Sequence, residues 1–124
     1  MVTARSSLGS AGEDKAVHHL ESLGYRIIDR NYRCRYGEID VIASDAGDLV
    51  FVEVKTRRSR SYGSASESVD RRKRQKLALS AQAYLQQNCP GEVSARFDVA
   101  EVYFENGRPV SVELIKGAFS AEPR

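Results

Sequence analysis

Two periodicities alternate along the chain and divide it into seven elements. Ala16, Val17, Leu20 and Leu23 recur at helical spacing, and Gly24 is placed to stop that helix. Ser10 and Glu13, in "SAGE", have the spacing of a capping box that would open it. Apolar and alternating runs then follow over 25–33, 38–43 and 48–56, separated by the turn sequences "CRYG" and "SDAGD". A long helix is expected over about 68–88, with Val69, Lys76, Leu77, Ala81, Tyr84 and Leu85 near one face, and "NCPG" ends it. Two more strands, over 94–104 and 110–115, flank the turn "ENGRP". The order αβββαββ predicts an α/β domain built on one mixed five-stranded sheet flanked by helices. Residues 1–8 are expected to form a flexible tail, 9–116 the domain and 117–124 a second tail.

The third strand, "DLVFVEVKT", carries a carboxylate and an ammonium inside an otherwise apolar run. Side chains alternate along a strand, so Val50, Val52 and Val54 face one way and Leu49, Phe51, Glu53 and Lys55 the other. In the second strand Glu38, Asp40 and Ile42 share a face. If Ala46 and Gly47 are the two turn residues, Asp45 pairs with Asp48, Asp40 falls opposite Glu53, and Glu38 falls opposite Lys55. Two carboxylates facing each other in a half-buried sheet repel, and a proton, a basic side chain or a cation must compensate. Mg²⁺ suits such a place, because it takes one or two protein carboxylates and leaves room for water and phosphate. Asp40 and Glu53 would supply the carboxylates and the Val54 carbonyl another oxygen, with Lys55 beside them to orient a water. The competing account is that Lys55 and nearby arginines simply neutralise both acids. Glu13 lies on the buried side of the first helix, where capping and a site role are both open.

Charge adds a partner to this picture. Between Lys55 and Lys76 there are nine basic residues (Lys55, Arg57, Arg58, Arg60, Arg71, Arg72, Lys73, Arg74, Lys76) against Glu67 and Asp70. That segment carries +7 in a chain of +2, so the remainder carries −5. The helical cations sit in the first half of their helix, where they oppose its dipole. A phosphate backbone would reverse that cost, which points to nucleic acid and to phosphate contacts rather than base reading. Tyr62, in the loop, is a weaker candidate for stacking on a base. His18 and His19 read as helix-surface residues, and Asp98, in "FDVAEV", as the partner of an arginine.

The remaining composition narrows the class. A length of 124 residues with 41% hydrophobic content suits one globular domain. Cys34 and Cys89 form no CxxC pair and no dense disulfide pattern, so a cytoplasmic location is expected. The first ten residues lack a signal-peptide core, and no apolar run approaches a membrane span.

Asp40, followed after twelve residues by Glu53-Val54-Lys55, resembles the PD-(D/E)xK signature of restriction-endonuclease-like nucleases. The blocks "AGEDKAVHHLESLGY", "RNYRCRYGEIDVIA", "LVFVEVKTR" and "RFDVAEV", in that order over residues 9–116, resemble the YraN-like family of small bacterial proteins in that superfamily. The resemblance implies metal binding by Asp40 and Glu53, a catalytic Lys55, an auxiliary first-helix acid at Glu13 and a basic long-helix residue at Lys73. Ile39 stands where the motif's name has proline. The expected function is therefore a Mg²⁺- or Mn²⁺-dependent DNA endonuclease, with branched DNA as one substrate class and a homodimer as a fitting assembly. The alternatives are a non-catalytic DNA-binding module with the same fold, and an interaction protein whose basic segment docks an acidic partner.

Overall fold

A computed structural model of the chain describes residues 7–58, 71–89 and 91–119. Arg60, Tyr62, the loop around them and the expected helix start at Ser68 and Val69 lie outside the described residues. The order is α1 (Ser7–Ser22), β1 (Arg26–Cys34), β2 (Gly37–Asp45), β3 (Asp48–Arg57), α2 (Arg71–Asn88), β4 (Ala95–Glu105) and β5 (Arg108–Phe119). The five strands form one sheet in sequence order. All neighbours are antiparallel except β3 and β4, which run parallel across the α2 connection. This is the αβββαββ architecture, one mixed five-stranded sheet flanked by helices, that the element order predicts. Among the described residues no helix is long and apolar enough to cross a membrane.

Strand alternation sorts the core into two layers. Val41, Ala43, Val50, Val52, Ala100, Val102 and Phe104 pack with Ala16, Val17 and Leu20 of α1. Ile42, Leu49, Phe51, Phe97 and Val99 pack with Leu77, Ala81 and Tyr84 of α2. The α2-side layer holds an aromatic file: Phe51 lies 5.5 Å from Phe97, and Phe97 stacks on Phe119 at 4.6 Å. Such pairs add about 0.5–1.5 kcal/mol each beyond the area they bury. Phe119 therefore extends β5 beyond the expected end at 115, and the second tail starts later than Gly117.

Two turns set the register. Ala46 and Gly47 both have positive φ (51° and 90°), the form that joins two twisted antiparallel strands through two residues. The β2–β3 ladder consequently runs from Asp45↔Asp48 to Val41↔Val52, as the sequence predicts. Asn106 and Gly107 repeat the device between β4 and β5.

The start of α1 differs from expectation. The helix already includes Ser7, so Ser10 lies inside it and "SAGE" is not a capping box. Leu23 is also out of place: the helix stops at Ser22, Gly24 turns at φ 95°, and Leu23 is 51% exposed while Tyr25 is buried. Gly12 sets the depth of α1. A Cβ there would stand 2.8 Å from Thr56 Cγ2 and 3.4 Å from a Phe104 ring carbon. Gly12→Ala is expected to cost about 1–2 kcal/mol, despite alanine's better helix propensity, because the neighbours must give way. Urea denaturation checks this; a stabilised variant would show that α1 has room to spare.

Candidate active site

Two sheet strands and two helices bring the candidate residues together. Past Val41↔Val52, the Val54 N–H turns to Asp40 Oδ2, at 2.8 Å. The ladder ends at Val41↔Val52, and Asp40 and Glu53 both line one hollow beside α2. Glu53 is buried, and its Oε2 meets Lys73 Nζ at 2.8 Å and Lys55 Nζ at 3.9 Å. Lys73 comes from α2, so the long helix and β3 both address the same carboxylate. A hollow of about 270 Å³ adjoins these groups, lined by Asp40, Glu53, Glu38, Lys73, Lys76 and Ser80 among others.

Asp40 is the electrostatic anomaly. Its carboxyl is pushed up to about 7, first by burial, then by the Glu53 charge, with the Val54 N–H opposing and Glu13 and Glu38 adding to the rise. Among the described residues Asp40 forms no ion pair. The neutralisation account thus holds for Glu53, which has two lysines, and fails for Asp40, which has one backbone N–H.

Glu13 reaches the site from α1. Only 4% exposed, it accepts from Arg30 Nη2 at 2.9 Å and from Asn31 Nδ2 at 2.9 Å. Asn31 Nδ2 also reaches Glu38 Oε2 at 3.1 Å, so one amide ties the helix acid to a strand acid. Asn31 adopts φ 56°, a conformation Asn tolerates better than most residues. Sequence reasoning missed Asn31; a polar Asn inside an otherwise regular strand was the available signal. Glu38, expected opposite Lys55, meets Asn31 Nδ2 and Arg33 Nε, the latter at 3.6 Å.

The basic residues separate into groups. Lys73 and Lys76 line the hollow, and Arg71 and Arg72 are exposed at the start of α2. Arg74 instead lies over the Phe119 ring, 5.9 Å from its centre. Arg57 forms an ion pair with the buried Glu101, whose other oxygen meets the Tyr103 hydroxyl at 3.3 Å. Arg58 is exposed and lines an open hollow with Phe104 and the β4–β5 turn. Arg60 falls outside the described residues. Among the described residues, Arg57 and Arg74 thus have partners within the domain.

The acids suit a hard cation held by few protein ligands. Among the described residues no three His, Cys, Asp or Glu side chains gather into a metal cage. Two carboxylates with an uncompensated Asp40 fit the sparse oxygen set that Mg²⁺ or Mn²⁺ accepts when water and phosphate complete the shell.

Residues 12–102 match a protein family described as "Uncharacterised protein family UPF0102". The chain belongs to this family. A UPF0102 protein from Caldicellulosiruptor saccharolyticus is 42% identical over 116 residues, covering 93% of this chain and 98% of the relative. One from Moorella thermoacetica is 45% identical over 120 residues, covering 96% and 100%. The UPF0102 match runs across the four ordered sequence blocks, ending at residue 102. Two solved structures are similar at low identity. One is an FdxN element excision controlling factor protein from Anabaena variabilis (11% identity, 83% of this chain, 98% of that chain, TM-score 0.42). The other is Pyrococcus furiosus SfsA in complex with Ca²⁺ (16% identity, 88% and 62%, TM-score 0.38).

Proposed function

We propose that the protein is a divalent-metal-dependent DNA endonuclease whose centre is Asp40, Glu53 and Lys55. The observation that carries this is the apposition of Asp40 and Glu53, with the Asp40 carboxyl displaced to about 7 and no ion pair to it among the described residues. A purely structural pair of acids would be expected to acquire two bases. Glu53 has them, from Lys55 and Lys73, and Asp40 does not.

Asp40 and Glu53 are the residues that would hold Mg²⁺ or Mn²⁺, with the Val54 carbonyl as a further oxygen. When bound, the metal supplies charge for a phosphodiester and lowers the pKa of a water. The chain's own groups do the remaining work. Lys55 stands beside Glu53 on the same sheet face and orients the attacking water. Lys73 and Lys76 draw the phosphate into the hollow. Glu13, fixed by Arg30 and Asn31, keeps the acid side of the site negative and is auxiliary. Arg71 and Arg72, exposed at the start of α2, extend the phosphate path.

The test is an incubation of purified protein with labelled linear, flapped and four-way-junction DNA in Mg²⁺, Mn²⁺ or EDTA. Cleavage is expected with metal only, and Asp40→Ala and Glu53→Ala should each lower it by about 100-fold or more. Retarded DNA without cleavage of any substrate would make the basic residues a binding surface and would sink the nuclease reading.

A further inference from the structure

Glu53 is a buried carboxylate, and a buried charge persists only where an opposite charge meets it. Both of its lysines address one oxygen, Oε2, but unequally: Lys73 Nζ stands at 2.8 Å and Lys55 Nζ at 3.9 Å. Lys73 is therefore the hydrogen-bonded counter-ion, and Lys55 the more distant one. They arrive from different elements. Lys55 follows Glu53 by two residues on β3, whereas Lys73 crosses from the third residue of α2.

The two ammonium groups also differ in their freedom to leave. The Lys73 side chain is 45% exposed, against 28% for Lys55 and 6% for Glu53. Its compact charge ends a flexible four-carbon stem, which can swing into water with no change in the α2 backbone. Lys73 lines the 270 Å³ hollow together with Asp40, Glu53 and Lys76, and Arg71 and Arg72 lie exposed just before it on α2. A lysine released from Glu53 thus stays at the hollow, among the cations placed to meet phosphate. A divalent cation shared by Asp40 and Glu53 would compete with this lysine for the same carboxylate, and two positive charges so close repel each other.

We propose that Lys73 is the resident counter-ion of the metal site: it holds Glu53 in the metal-free protein, gives up that carboxylate to an entering divalent cation, and passes to the DNA phosphate. This rests on the nuclease reading and adds a coupling to it. Lys73 drawn away by a phosphate leaves Glu53 open to metal, and Lys73 displaced from Glu53 is open to phosphate. By linkage, each ligand then tightens the other by the same factor. The exchange holds metal loading down until a phosphate backbone arrives.

Isothermal titration calorimetry of Mn²⁺ into DNA-free protein tests the exchange, because no cleavage enters the readout. Lys73→Met keeps the stem, removes the ammonium and leaves Lys55 beside Glu53. It is expected to bind Mn²⁺ about five- to tenfold more tightly than wild type, the worth of a charged hydrogen bond discounted for its exposed ammonium. Lys73→Arg keeps the charge and should bind no more tightly than wild type. Lys76→Met removes a cation from the same hollow and should gain about twofold at most, since a general field is screened by salt. The coupling is read by fluorescence anisotropy of a labelled hairpin duplex with phosphorothioate linkages, which resist cleavage. Saturating Mn²⁺ is expected to tighten its binding to wild type about tenfold relative to EDTA, and to Lys73→Met about threefold or less. Equal or weaker Mn²⁺ binding by Lys73→Met would overturn the proposal, since Lys73 and metal would then share Glu53. An equal gain in Lys76→Met would overturn it too, by reducing the effect to the field of any nearby lysine, and so would the absence of Mn²⁺ binding in every protein. Failure of the nuclease reading looks different: the exchange is found while none of the DNA substrates is cut.

Discussion

Asp98→Ala is expected to lower stability by about 3–5 kcal/mol, well beyond the loss expected of Gly12→Ala. Asp98 is fully buried and accepts from the Tyr25 hydroxyl at 2.7 Å, Arg96 Nε at 3.0 Å and the Gly117 N–H at 2.9 Å. Truncation leaves all three donors without this acceptor, and a buried donor without a partner costs its full desolvation. Arg96 would keep Asp45 at 2.8 Å and Asp48 at 2.9 Å, so the guanidinium is not left entirely uncompensated. The hydroxyl of Tyr25 is raised by burial and then by Asp98, which marks how closely the two are joined. Asp98→Asn keeps an acceptor but loses the charge, and should cost less. Urea denaturation followed by circular dichroism measures both. A loss below about 1 kcal/mol for the alanine variant would mean that water replaces the carboxylate.

The same cluster has a pH signature. Asp45 is lowered first by its hydrogen bond from Arg96, and Asp48 first by that from Ser94. Their folded values lie below the ordinary 3.8, so their contribution is present above that value and lost as pH falls through the depressed folded values. Acid is therefore expected to loosen this end of the sheet.

Asp40→Asn should do the reverse of what a substitution at a buried charged residue usually does. In EDTA at pH 8 it is expected to stabilise the protein, on the order of 2 kcal/mol. Burial and Glu53 raise the folded carboxyl from 3.8 to about 7. A raised acid contributes stability below its unfolded value, and that contribution disappears as pH climbs through the folded value. Wild type should thus lose stability between about pH 4 and pH 7 relative to the asparagine variant. The full displacement would set a ceiling near 4 kcal/mol, and the partly exposed position brings the expectation down. The asparagine carbonyl still accepts the Val54 N–H, so the fold has no reason to change. Melting temperatures from pH 4 to pH 8 for both proteins measure the effect. Parallel curves would remove the electrostatic argument for a cation. Adding Mn²⁺ should then raise the melting temperature of wild type by mass action and leave the variant nearly unmoved.

The β2–β3 pair was legible because its cause is local. Ala46 and Gly47 determine a two-residue turn, the turn determines register, and alternation then sends Asp40 and Glu53 to the same face. The helix faces carried by Ala16, Val17 and Leu20, and by Leu77, Ala81 and Tyr84, follow from spacing in the same way. Asp98 was also readable as an arginine's partner, since a carboxylate in an apolar strand has few alternatives. What stayed hidden depends on groups distant in sequence. Ser10 looked like a cap because its spacing to Glu13 is right, but neither shows where the helix begins. Glu13 is claimed instead by Arg30 and Asn31, across the interface between α1 and β1.

Charge was the least readable quantity. Nine basic residues in one segment gave a net charge but not their partners: Arg57 meets Glu101, from a strand more than forty residues away, and Arg74 lies over Phe119. By itself the sequence determined the element order, the β2–β3 register leading up to the site and the presence there of two acids, because turns and alternation act over neighbouring residues. Only the tertiary structure decided which acid keeps a base and which cations face the hollow. Those outcomes depend on which side chains meet when two helices close on opposite faces of a sheet.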